Sequence, residues 1–175
     1  MSAICYFIAT ETLIMKELLD KISSYNIFNF LFPGIVFAIF SKALIGYNFI
    51  QSDILINAFL FYFMGMIISR IGSLIIEPIL KKISFIKFVE YKKYVEASKK
   101  DAKIEILLEA NNTYRTILSS TILLGILKIY AVLETKCQFL KANSYYILLV
   151  SIFLIFLFSY KKQTKYVVKR VEASS

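Results

Sequence analysis

At 175 residues, 58% of them hydrophobic, and with a mean hydropathy of +0.67, the chain has the composition of a membrane protein and not that of a soluble domain with a large core. Its net charge of +9 would point to nucleic acid in a soluble protein, but here it is distributed as a topology signal, without a nucleic-acid-binding motif. Histidine is absent and the two cysteines, Cys5 and Cys137, are expected on opposite sides of a membrane, which excludes a disulfide between them and the usual zinc-ligand sets. No catalytic residue, metal or cofactor is expected, and direct nucleic-acid contact is not expected either.

The segment 1–26 is apolar at first but lacks a basic start and a small-residue cleavage site, so it does not read as a signal peptide. Met15 offers an alternative translation start. Leu13, Leu18, Leu19, Ile22 and Tyr25 alternate with charged residues, the pattern of an amphipathic helix lying at the membrane interface. Four stretches then approach the roughly 20 apolar residues that a span requires: 27–47, 54–76, 113–133 and 144–160. Together they predict an all-α, polytopic membrane protein with four transmembrane helices. Pro33 and Gly34 are expected to turn or kink the first span at its start.

The second span, within the transmembrane pair 27–80, carries Arg70 and is followed by Glu77. An arginine deep in a bilayer is costly, by about 2.5–3.5 kcal/mol on insertion scales, and is expected to face protein or water. On a straight helix Glu77 falls about 20° from Arg70. Tyr62, Met66, Ser69 and Ser73 share that side, bordered by Gly65 and Gly72, while Leu60, Met64, Ile67, Ile68, Ile71, Leu74 and Ile75 form an opposite, lipid-facing side. Tyr62, Ser69, Arg70, Ser73 and Glu77 therefore form a candidate intramembrane polar face. It reads either as a buried structural pairing that sets helix register or as a conduction path or switch. Partners for Arg70 and Glu77 are expected on the first or third span or on another subunit.

The region 81–112 reads as a basic, helical cytoplasmic lobe. Pro78 is expected to kink or end the second span. An amphipathic helix is expected over 83–95, a capping box at Ser98 and Asp101 opens a second helix to Ala110, and Asn111–Asn112 breaks it. Lys87, Phe88, Tyr91, Lys92, Lys93, Tyr94, Lys99 and Lys100 are the candidate docking residues, for a protein partner or for anionic lipid. The pair 113–160 follows, with Ser119, Ser120, Thr121, Gly125 and Lys128 as a packing face in its first helix and a nearly wholly apolar second helix. A basic tail, 161–175, ends the chain. Lysine and arginine crowd 81–115 and the tail, while 47–53 has none, which predicts an inner-membrane protein with both termini and the lobe in the cytoplasm.

The stretches GMIISRIGSLIIEPILKK and KKDAKIEILLEANNTYRT, with the four-span layout, resemble small bacterial membrane proteins of defence islands. The architecture is similar to the membrane subunit of the Kiwa antiphage system. That resemblance implies a homo-oligomeric membrane sensor or scaffold that recruits a cytoplasmic DNA-binding protein partner. The alternative class is a pore-forming effector that depolarises the infected cell, with Arg70 lining or gating a ring of subunits. Solute transport is a third reading, disfavoured by the absence of inverted repeats.

Overall fold

The computed structural model describes residues 27–173, so the interfacial helix expected in 1–26 lies outside the described residues. All regular structure within them is helical. Helix α1 opens as a π-turn, Ile27–Leu31, and continues as Phe32–Leu44. Helix α2 is Ile54–Lys82, interrupted by a second π-turn at Gly72–Ile76. The short α3 is Tyr91–Lys100, α4 is Lys103–Lys136 and α5 is Gln138–Glu172. Helices α2, α4 and α5 are long and apolar enough to cross a membrane, and α1 is a shorter apolar helix.

Local chemistry explains where these helices start and stop. Pro33 lies where the π-turn of α1 passes into its α-helical part, so the backbone donor it lacks falls at the irregularity of the helix. Gly46, at a φ of +94°, ends α1 by turning its N–H back to the Ser41 and Lys42 carbonyls at 3.0 and 3.2 Å. Asp53 starts α2, its carboxylate accepting from the Leu55 and Ile56 N–H groups at 2.8 and 2.9 Å.

Neighbouring helices run up and down. Gly34 faces the backbone carbonyl of Phe61 and Gly65 that of Phe30, so α1 and α2 are antiparallel and meet with no room for a side chain between them. Gly72 abuts Ser119 in the same antiparallel sense between α2 and α4. Asn29 and Thr116, both buried, share a hydrogen bond of 2.9 Å, while Lys128 Nζ donates to the Leu44 carbonyl at 2.9 Å, so α1 and α4 are parallel. At that far end Glu134 accepts from Tyr47 Oη at 2.9 Å and from Ser144 Oγ at 3.0 Å, tying the α1–α2 connection to the α4–α5 hairpin. Helix α5 has no buried residue along its length and leans on α2 and α4 from one side.

Several expectations are corrected. Asn111 and Asn112 do not break a helix: α4 runs straight through them, because Asn112 and its neighbours continue the backbone ladder and the Asn112 carbonyl also accepts from Thr116 Oγ1 at 2.8 Å. Ser98 is not an N-cap but lies inside α3, donating to the Val95 carbonyl at 3.1 Å. The cap function falls to Asp101, which accepts from Lys103 N–H at 2.9 Å. The helix expected over 83–95 begins only at Tyr91, after an irregular stretch that contains Ser84 at a φ of 60°. Pro78 does not end α2, which continues to Lys82. In α4 the packing face is Thr116, Ser119 and Ser120, whereas Thr121 and Gly125 are exposed.

Candidate functional site at the basic end of the bundle

The π-turn of α2 builds the site. Such a turn accommodates one extra residue, so positions after it lag by about 100° behind a straight helix. Glu77 is thereby swung away from the side of Arg70 and into the bundle, where it is 5% exposed. Its Oε2 accepts from Arg115 Nη1 of α4 at 2.6 Å and its Oε1 from Lys81 Nζ, one turn on, at 2.8 Å. One carboxylate thus binds two cations on two helices, the arrangement that lets a buried charge persist.

The same turn makes a second bond across helices. Glu77 N–H reaches back five residues, to the Gly72 carbonyl. In that register the next donor would serve the Ser73 carbonyl, but it belongs to Pro78, which has no N–H. Lys162 of α5 fills the vacancy: its Nζ donates to the Ser73 carbonyl at 2.6 Å and to Ser73 Oγ at 2.7 Å. A lysine at the end of α5 therefore substitutes for a backbone donor in α2.

Of the five residues of the expected polar face, the structure gathers Ser69, Ser73 and Glu77 in the buried arc of α2, together with Gly65, Ile68, Gly72 and Ile76. Ile68, assigned to the lipid side from the sequence, is 1% exposed, which corrects that assignment. Tyr62 is half-buried, its ring edge-on to Phe30 with centroids 5.5 Å apart. Arg70 lies at the edge of the arc, half-buried, without a hydrogen bond or ion pair among the described residues and close enough to Lys162 to act on it electrostatically. Three cations, Lys81, Arg115 and Lys162, thus act on a single carboxylate, with Arg70 beside Lys162.

The docking residues divide by direction. Lys87, Lys92, Lys99 and Lys100 are exposed, as is Lys93, which makes only a loose 3.6 Å pair with Glu90. Tyr91 and Tyr94 are half-buried, while Phe88 is 49% exposed. Phe88 lies under Lys81 Nζ, 3.9 Å from its ring centroid, and Tyr91 packs on Tyr94 and on Tyr166 of α5 at 6.0 and 6.1 Å. Burial pushes the Tyr94 phenol above its ordinary pKa, with the Glu105 carboxylate adding to the shift and Arg170 opposing it. Helix α3 is therefore clamped between the beginning of α4 and the end of α5, with its lysines turned outward.

The sequence reading missed the principal partners, Arg115 and Lys162. Arg115 falls among the basic residues that set topology and Lys162 in the basic tail, and nothing in their local sequence distinguishes them from topology signals. A search of family models, curated proteins and solved structures finds no match to this chain.

Proposed function

We propose that the protein is an oligomeric inner-membrane sensor or scaffold of an antiphage defence system, crossing the membrane four times with both termini inside and holding a cytoplasmic DNA-binding partner on its basic lobe. The observation that carries this reading is the junction at Glu77 and Ser73. It ties α2, α4 and α5 together where they enter the lobe, so a change in helix packing within the membrane reaches α3 and its outward lysines. The α1 segment of 18 residues reaches about 27 Å if α-helical throughout, just short of a hydrocarbon core of about 30 Å. It packs along α2 and α4 from end to end, and a small local thinning of the bilayer accommodates it as the fourth span.

The pore reading draws on the unpaired, half-buried Arg70. Its position argues for the scaffold: Arg70 is near Lys162, toward the basic end, where an arginine snorkels to the headgroups and does not face the bilayer centre. Stimulus-dependent conductance in a planar bilayer that vanishes with Arg70→Gln would reverse that preference.

Topology is tested by labelling intact cells with a membrane-impermeant maleimide. In a Cys5→Ser background Cys137, which is exposed and at the end opposite the lobe, is expected to react, and a cysteine introduced by Ser98→Cys in a Cys5→Ser/Cys137→Ser background is expected to react only after lysis. External labelling of the Ser98 variant would overturn the orientation. Docking is tested by reversing charge at Lys92, Lys93, Lys99 and Lys100 to glutamate. The expected result is unchanged insertion, with at least a tenfold loss of a co-purifying soluble DNA-binding companion, since a charge pair across an interface contributes on the order of 1 kcal/mol or more. Retained co-purification and retained phage protection would leave these lysines as topology signals.

A further inference from the structure

Between α2 and α5 the bundle is split by an open groove of about 500 Å³, within the size range of ~300–1,000 Å³ typical of small-molecule sites. Its α2 wall is Ile71, Leu74 and Ile75. Its α5 wall is Leu154, Ile155 and Phe158, so both walls below the mouth are apolar. At the mouth the character changes within one turn, to Lys161, Lys162 and Lys165. Lys162 is held by Ser73, but Lys161 and Lys165 are exposed and make no hydrogen bond or ion pair among the described residues.

An apolar slot that opens onto two unengaged ammonium groups matches one kind of molecule: an amphiphile with a hydrocarbon chain and an anionic head. We propose that this groove is a binding site for an anionic glycerophospholipid, with an acyl chain lying between α2 and α5 and the phosphate at Lys161 and Lys165. The charge complementarity is specific to the head. Arg70, close to Lys162, and the Lys162 ammonium itself add positive potential beside it; the Glu77 carboxylate is already bound by Arg115 and Lys81, and Glu172 shares the adjoining surface groove with Lys161, Lys165 and Lys169. The chain also explains the packing. Helix α5 buries none of its apolar window against the protein, so a lipid wedged into the groove supplies the contact that α5 lacks. A second copy of the protein would meet the same apolar walls but would have to bring an acidic group to the lysines. Such a copy is the competing occupant. This inference stands on the groove alone and does not depend on the defence reading.

The test uses the full chain purified in neutral detergent, with phosphatidylglycerol, phosphatidylcholine and inorganic phosphate as separate probes, followed by native mass spectrometry for bound lipid and by thermal melting. Phosphatidylglycerol is expected to remain bound and to raise Tm, phosphatidylcholine to do so much less and inorganic phosphate not at all. The double variant Lys161→Gln/Lys165→Gln is expected to weaken phosphatidylglycerol binding by on the order of tenfold, from roughly 1 kcal/mol per lysine near a charged headgroup, less screening. Lys82→Gln/Lys103→Gln, at two exposed lysines outside the docking residues, removes the same charge from the same end and is expected to leave binding unchanged. Ile155→Trp, which fills the groove without altering charge, is expected to displace the lipid while the protein stays monodisperse.

Equal retention of the two lipids by the unaltered protein overturns the proposal, a comparison that does not depend on any variant folding. Equal losses in the two double-lysine variants overturn it too, because binding would then follow net charge. Stabilisation by inorganic phosphate equal to that by phosphatidylglycerol would make this an anion site without a lipid. Efficient disulfide formation between two copies carrying Leu154→Cys in a Cys5→Ser/Cys137→Ser background would place a second subunit in the groove instead.

Discussion

Replacing Arg115 with alanine is expected to destabilise the protein by about 3 kcal/mol, at the low end of the 3–5 kcal/mol seen when one partner of a buried ion pair is removed. Arg115 approaches Glu77 at 2.6 Å, with the two side chains 21% and 7% exposed, so its loss leaves a buried carboxylate. The value is at the low end because Lys81 still holds the other carboxylate oxygen at 2.8 Å. Lys81→Ala is expected to cost only about 0.5 kcal/mol, since that lysine is largely in solvent and its pairing is of the one-turn helical kind. The double change Glu77→Leu/Arg115→Leu removes both charges and is expected to recover most of the lost stability, as replacement of buried pairs by apolar residues often does. A double-mutant cycle on the protein in nanodiscs, read by thermal unfolding, measures the coupling. Losses that simply add across the cycle, or an Arg115→Ala cost no greater than that of Lys81→Ala, would show that the pair does not hold α2 to α4.

That pair also marks how far the sequence could be read. The apolar runs, the grouping of Ser69 and Ser73 on one side of α2, and the helical character throughout follow from composition and a 3.6-residue period, and the structure has them. The period fails at Gly72–Ile76. A π-turn shifts every later residue by about one position, which a straight-helix projection cannot represent. Arg70 and Glu77 look adjacent in that projection, and the turn separates them. The projection also placed Ile68 toward lipid because it was centred on the arginine. The true centre of the buried arc is set by the close-approach residues Gly65, Ser69 and Gly72. The roles of Arg115 and Lys162 were illegible for another reason. Both lie in runs whose lysine and arginine density already had a sufficient explanation in topology, and only the three-dimensional approach of α4 and α5 to the π-turn singles them out.

The Pro78–Lys162 relation shows why this irregularity is kept within a membrane-type helix. A carbonyl left without its donor costs several kcal/mol where water is scarce, and neighbouring helices normally supply the missing group. Here the supplier is a charged side chain from the least covered helix of the bundle, so the element that anchors α5 is the one that would respond first to a change in the surrounding lipid. The Lys162–Ser73 contact is thus a direct link between α5 and α2, the kind of link the proposed scaffold role would use.

The glycines give the sharpest contrast among single substitutions. A Cβ at Gly65 would land on the backbone carbonyl of Phe30, and backbone cannot swing aside as a side chain does. Gly65→Ala is therefore expected to force α1 off α2, at a cost at or above the usual 1–3 kcal/mol of overpacking. A Cβ at Gly72 would instead meet Ser119 Oγ, which can rotate, so Gly72→Ala is expected to cost less, roughly 1–2 kcal/mol. At Gly125 nothing lies within 4 Å, and Gly125→Ala is expected to be neutral or to stabilise by up to about 1 kcal/mol through helix propensity. The measurement is thermal unfolding of the three variants in one detergent, with a disulfide reporter between α1 and α2 to follow their separation. The order Gly65, Gly72, Gly125 from most to least damaging is the expected result. A Gly65→Ala protein as stable as Gly125→Ala, with the α1–α2 disulfide still forming, would mean that the backbones of α1 and α2 do not meet at that point.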